Sequence, residues 1–332
     1  MYEEERNDSF FYMHGLKYTV GKTTLAFGIF AVVYVISSLL LGKVAETVLP
    51  AEYLANQWIS FLLNVVPLYG IAFPVMLCLL RGTHGFAPAK KKLSFEAILV
   101  LFPMGVSLMI IGNIVSQIVI SYIARFFPWI NQNDPVTELL TENGLLVTVI
   151  LTLVVAPVME ELLFRKILLD RISPLGEGIS ILLSGFLFGA LHCNLQQFFY
   201  ATLFGMLLAF IYLKTGKVIY TMLLHMLINL FCGVLPKLFI GDWILALEGE
   251  EVVLTGEILM GSWRLLGYAM AEYAMAAIGL LLLILLRKEI KAAIIPSQYP
   301  KGYQFKTAFL SPGAIILLSL CMGVALVSLV LI

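Results

Sequence analysis

Charge is what this 332-residue chain has least of. Asp, Glu, Lys and Arg together make up 13% of it, against roughly 25% in a soluble domain. Hydrophobic residues reach 61%, and the mean hydropathy is +0.97. That balance excludes an ordinary soluble globular protein. Cysteine is also scarce. Cys78, Cys193, Cys232 and Cys321 are scattered through or beside apolar runs, without the paired spacing of a disulfide framework or a zinc ribbon. The first 20 residues are polar and charged, so no cleavable signal peptide is expected there and targeting falls to the first apolar run. No internal repeat or low-complexity segment is evident. With a formal net charge of zero, no nucleic-acid partner is expected.

What the chain has in quantity is long apolar runs. About 20 mostly apolar residues make a membrane span, and on that measure the expected spans are Thr24 to Leu41, Gln57 to Leu80, Ala97 to Ile123, Leu145 to about Ile172, Ile179 to His192, Phe198 to Leu213, Val218 to Leu235, Leu265 to Leu286 and Phe309 to Ile332. The expected fold is therefore an all-α polytopic membrane helix bundle of about nine spans, forming one domain over 1–332. A core over 144–235 precedes two additional spans in 236–332. Placing the N-terminus in the cytoplasm leaves all but four of the 21 basic residues on the inside, the exceptions being Lys43, Arg125, Lys237 and Arg264. The positive-inside rule thus supports nine spans in a multi-pass protein, expected in the plasma membrane.

Against that apolar background a few polar residues stand out: Glu160, Glu161 and Arg165 on the fourth span, His192 at the end of the fifth, His225 and Asn229 on the seventh. A charge at the bilayer centre costs about 3 kcal/mol on insertion scales, so such residues point to a functional site. Their depths agree. If the fourth and fifth spans turn near Ser173 to Gly178, Glu160 and His192 both lie roughly 20 Å along their helices from that turn at 1.5 Å per residue. His225 and Asn229 lie roughly 12 and 18 Å from a turn near Thr215 to Lys217. Pro157 removes a backbone donor just before Glu160 and is expected to kink the helix there.

Each residue also has a plainer reading. Glu161 and Arg165, spaced i, i+4, share a helix face and are expected to form an ion pair that needs no function, and a single His or Asn in an apolar helix often serves as an interhelical contact. Gly185 and Gly189 make a GxxxG spacing, which is read as a close-packing device bringing a neighbouring helix near His192. Glu160 is rotated about 100° from Glu161 and cannot share its partner easily. Glu272 lies in the eighth span outside these clusters, where it either snorkels outward or pairs with a donor.

Taken in order, Glu160-Glu161-Leu162-Leu163-Phe164-Arg165 fits EExxxR, Phe188 to His192 fits FxxxH, and His225 to Asn229 fits HxxxN. Three such motifs on successive apolar segments resemble the CPBP family, the CAAX proteases and bacteriocin-processing enzymes also called Abi, related to the Ras-converting CAAX endopeptidase. The resemblance covers roughly 144–235. It implies a bundle around a polar intramembrane cavity open to the cytoplasmic side, and an endopeptidase acting on a peptide or membrane-protein substrate, prenylated or not, in contact with membrane lipid.

The chemistry such an activity needs matches the residue types. Glu160 is suited to act as general base, His192 to hold the same water and return the proton, and His225 with Asn229 to donate to the oxyanion. Arg165 would orient Glu161, and Phe188 completes the supporting set. No cofactor is expected; the alternative is one divalent metal such as zinc held by Glu160, His192 and His225. The chain has no HExxH, no GxGD and no GxSG motif, which sets it apart from other intramembrane proteases. Two readings of another class stand beside this one: a non-catalytic scaffold or immunity protein, and a proton-coupled transporter.

Overall fold

The computed structural model describes residues 2–129, 144–238 and 256–331. The polar stretch 131–143 and the acidic Asp242, Glu248, Glu250 and Glu251 lie outside the described residues, as does any assignment of the latter to a membrane face. Among the described residues the chain is helical throughout. The main helices are α1 (Tyr2–Val48), α2 (Gln57–Leu79), α3 (Phe95–Ala124), α4 (Leu145–Leu175), α5 (Glu177–Ala190), α6 (Leu195–Thr215), α7 (Val218–Leu238) and α8 (Gly256–Leu285). The basic linker folds as α9 (Arg287–Ala293) and α10 (Lys301–Phe309), and α11 (Pro312–Leu331) follows.

Local sequence signals set the ends. Asn56, Ser94 and Asn194 cap α2, α3 and α6, each accepting a hydrogen bond from a backbone N–H two or three residues on, which satisfies a donor the first helical turn leaves free. Gly216 closes α6 in the left-handed region at φ 60°, a conformation that glycine adopts without the penalty of a Cβ. At Pro157 the helix departs from regular α geometry. Ahead of it, over Ile150–Val155, the helix widens to π-type i→i+5 bonding, which accommodates the missing donor and the pyrrolidine ring while α4 continues. A second widened segment, Leu162–Leu169, follows, so Glu160 and Glu161 occupy a short α-helical stretch between two π-type ones.

The bundle is a membrane protein by its surface as well as its composition. Outward-facing Leu39, Ile118, Leu285 and Met322 are each more than 60% exposed, an extent of apolar exposure that water would penalise and lipid would not. The expected nine spans are corrected in two places. Among the described residues seven helices are long and apolar enough to cross, or eight when α10 and α11, bent by 54°, are taken as one broken span. The fifth, α5, has 14 residues, about 21 Å at 1.5 Å per residue, short of the roughly 30 Å hydrocarbon core. His192 consequently sits in the turn just beyond α5 and not within it.

Two apolar cores hold the bundle together. One gathers α1, α2, α4, α5 and α11, including Phe27, Met76, Leu168, Leu187 and Leu317. The other joins α3, α6, α7 and α8 through Met104, Phe204, Leu224 and Ala276. Glycines bring the helices close. A Cβ on Gly185 or Gly189 would run into Thr202 of α6, one on Gly112 into the Tyr200 backbone, and one on Gly279 into the Pro103 carbonyl. The GxxxG of α5 is thus a packing device, with α6 laid antiparallel against it.

Candidate active site

The site begins on α4 with the ion pair that the i, i+4 spacing implies. Arg165 Nε donates to Glu161 Oε2 at 2.9 Å, and both side chains are fully buried. Arg165 Nη1 also donates to Ser184 Oγ on α5 at 3.0 Å, while the guanidinium lies 5.1 Å from the centroid of the Phe188 ring, within cation–π range. Burying two charges is tolerable only when each has such a set of partners. The pair is anchored to α5 on one side and to α7 on the other.

The link to α7 is His225. Its Nδ1 lies 3.2 Å from Glu161 Oε1. The Arg165-paired carboxylate accepts, so Nδ1 carries the proton and Nε2 is the nitrogen left for other work. That Nε2 is 3.8 Å from Glu160 Oε2, beyond direct hydrogen-bond length. Edge contacts from Phe188 at 5.8 Å and Phe204 at 5.4 Å hold the imidazole between the two apolar cores. Sequence reasoning set Glu160 and Glu161 apart by rotation; in the structure one imidazole bridges them, an arrangement visible only once α7 is laid beside α4.

His192 is oriented by its own motif. Its Nδ1 lies 2.7 Å from the Phe188 carbonyl oxygen. A carbonyl only accepts, so here too Nδ1 is protonated and Nε2 is free. The FxxxH spacing therefore acts through a backbone carbonyl as well as through the Phe188 ring, which packs on His192 at 5.2 Å. Beyond His192 the chain turns sharply, with Cys193 at φ 54°, and Asn194 donates back to the His192 carbonyl at 2.9 Å before capping α6. Asn229, one turn after His225, donates its amide to the Thr152 carbonyl on α4 at 2.8 Å. The π-type segment Ile150–Val155 contains that carbonyl, and such a segment leaves carbonyls displaced from regular i→i+4 pairing.

These residues surround a cavity of about 230 Å³. Glu160, His192, His225 and Asn229 all line it, together with Phe188, while Glu161 and Arg165 lie behind its wall. Glu160 is 22% exposed and Glu161 not at all, so adjacent carboxylates have different surroundings. Several lining groups were not anticipated: Asn113 on α3, Thr152 on α4, Gln197 and Tyr200 on α6, and Glu272 on α8. Glu272 does not snorkel outward: it lines the cavity and pairs with a donor, the Tyr268 hydroxyl one turn earlier. The signal that could have placed it was the spacing Glu272, Ala276, Gly279, which puts the carboxylate on the small-residue face of α8.

The zinc alternative can be checked against donor geometry. Among the described residues no group of three His, Cys, Asp or Glu side chains is arranged to hold a metal ion. Glu160, His192 and His225 as placed do not fit a shared first coordination sphere, and no step is assigned to a metal.

Comparison with known proteins agrees with the motifs. Residues 142–231 match the family of the type II CAAX prenyl endopeptidase Rce1-like proteins. The chain carries an Rce1-like domain. It spans about a quarter of the sequence, from the start of α4 to Phe231 of α7, and contains all three motifs; α1 to α3 and α8 to α11 lie outside it. The family so matched is one of CAAX prenyl endopeptidases, which supports an intramembrane protease at family level. No curated protein and no solved structure matches the chain.

Proposed function

We propose that this protein hydrolyses a peptide bond within the membrane by a water held between Glu160 and the free nitrogen of His225, with the free nitrogen of His192 beside it to shuttle the proton. What supports the reading most is the division between the two carboxylates. Glu161 has both carboxylate oxygens engaged, one by Arg165 and one by His225, whereas Glu160 faces the cavity without a direct hydrogen bond among the described residues. A water about 2.8 Å from both Glu160 Oε2 and His225 Nε2 closes a triangle on their 3.8 Å separation. Glu160 then takes the proton as the water attacks the scissile carbonyl, that proton passes from Glu160 to the free Nε2 of His192, and His192 delivers it to the departing amine. Asn229 stabilises the oxyanion with the amide proton not given to Thr152. His225 in this scheme is a water-binding and positioning group, a shift from the pure oxyanion donor expected from sequence.

Peptide or membrane-protein segments are the substrate class, and a prenylated cysteine near the cut is the form the family name suggests. We take the whole chain as one transmembrane domain with its core at 144–235, the N-terminus and cavity mouth cytoplasmic, in the plasma membrane. No metal or other cofactor is assigned. The deciding experiment compares new protein termini in membranes carrying the intact protein or Glu160→Gln, which keeps shape but cannot accept the proton. Termini that appear only with the intact protein support the reading; identical sets would reject it. Labelling of a cysteine at position 91 from the outer face would reject the orientation.

A further inference from the structure

Glu272 is the one carboxylate in the cavity wall that the proposed chemistry does not use. It lies on α8, outside the Rce1-like domain and about four turns from the end of the helix. An acidic side chain at such a position faces lipid unless packing turns it inward, and here packing does. Gly279, seven residues on and therefore on the same face, meets the Pro103 carbonyl of α3 so closely that a Cβ would not fit. Ala276, between them, is buried in the core shared by α3, α6, α7 and α8. Small residues thus lock this face of α8 to α3, and Glu272 is carried into the cavity beside Asn113 of α3 and Cys232 of α7.

The charges around the cavity do not balance. Arg165 offsets Glu161 from behind the wall, but no Lys or Arg lines the cavity, and among the described residues no basic side chain reaches Glu272 within ion-pair distance. Tyr268, one turn earlier, shares its hydroxyl between the Phe231 carbonyl at 2.9 Å and Glu272, a neutral partner that brings no positive charge. Intramembrane carboxylates pair with one another, with backbone or with what passes through the cavity, and they mark substrate paths. Two carboxyl groups, Glu160 and Glu272, with no cation facing them among the described residues, leave the cavity able to accommodate a cation, which would hold Glu272 ionised.

We propose that Glu272 is a specificity residue, forming a subsite that receives a basic side chain of the substrate, Lys or Arg, while the scissile bond lies at Glu160. This rests on the endopeptidase reading for the location of the bond, but the cation preference is measurable without hydrolysis. The probes are two apolar helical peptides alike except for one central position, Lys in one and norleucine in the other. Their binding to the full chain in nanodiscs is measured with Glu160→Gln and with Glu160→Gln/Glu272→Gln, and their cleavage with the unaltered protein.

The Lys peptide is expected to bind at least about tenfold more tightly when Glu272 is present, the least that a desolvated charge pair of this kind contributes, and the ratio should fall to about one with Glu272→Gln. That result supports the subsite even if neither peptide is cut, in which case the endopeptidase reading alone suffers. A ratio near one with Glu272 present, a ratio unchanged by Glu272→Gln, or no binding of either peptide would overturn the subsite. Cleavage that depends on Glu160 would leave the endopeptidase standing through all of those outcomes. Should Glu272→Gln reduce folded yield, Glu272→Asp keeps the charge, and retention of the preference there is the expected outcome.

Discussion

Glu160 and Asp170 stand ten residues apart on the same helix and show how differently one span can treat a carboxylate. Asp170 is 5% exposed and fully engaged: Tyr212 donates to Oδ1 and Lys166 to Oδ2, each at 2.6 Å. Its backbone carbonyl accepts from Phe86 of the segment between α2 and α3. It ties α4 to α6 and to that segment, and touches no cavity. Glu160 is less buried and has no such set of partners. Burial of a charged group is therefore a poor guide to function in this bundle. The useful distinction is whether lone pairs remain uncommitted and what they face.

That comparison is broken most sharply by Glu160→Gln. Hydrolysis should fall on the order of 10⁴-fold, the upper end of a general-base contribution, with the thermal midpoint in detergent almost unmoved. A fall in folded yield matching the fall in activity would make Glu160 a structural residue like Asp170. Next in size is Arg165→Met, which leaves Glu161 buried and unpaired. It should cost about 3–5 kcal/mol of stability, read as a large drop in melting temperature, and a protein that stays folded with unchanged melting would contradict the ion-pair account.

Asn229→Ala should slow hydrolysis by about 10² to 10³, the loss typical of one oxyanion donor, and melting should show only the cost of an unpaired Thr152 carbonyl. If the rate is unaffected, Asn229 serves the helix contact alone. The smallest effect is expected from Asp170→Asn. It should lower stability by about 1–3 kcal/mol through a weakened buried hydrogen-bond set and leave the cleavage rate per folded molecule unchanged. A selective loss of rate would mean that the far end of α4 reaches the site after all.

Much of this molecule follows from the chain read alone. Apolar runs about 20 residues long imply a membrane bundle because lipid requires every backbone group to be satisfied within a helix. The i, i+4 spacing of Glu161 and Arg165 implies their pairing because a helix places such residues on one face. Even the common level of Glu160, His192, His225 and Asn229 follows from residue counts, since rise per residue is constant. Those three conclusions depend on distance along a helix, which sequence encodes directly.

Rotation and approach between helices are another matter. Which imidazole nitrogen is free depends on Glu161 reaching His225 across α4 and α7, and on the Phe188 carbonyl lying beneath His192. The shortness of α5 depends on where the chain turns at Leu191 to Asn194, and the inward direction of Glu272 on a contact between Gly279 and Pro103. Sequence determined which polar residues enter the membrane and how deep they lie. Tertiary structure decided which of them see one another, because close packing of small residues sets helix rotation and only that contact turns a costly charge toward a cavity instead of toward lipid.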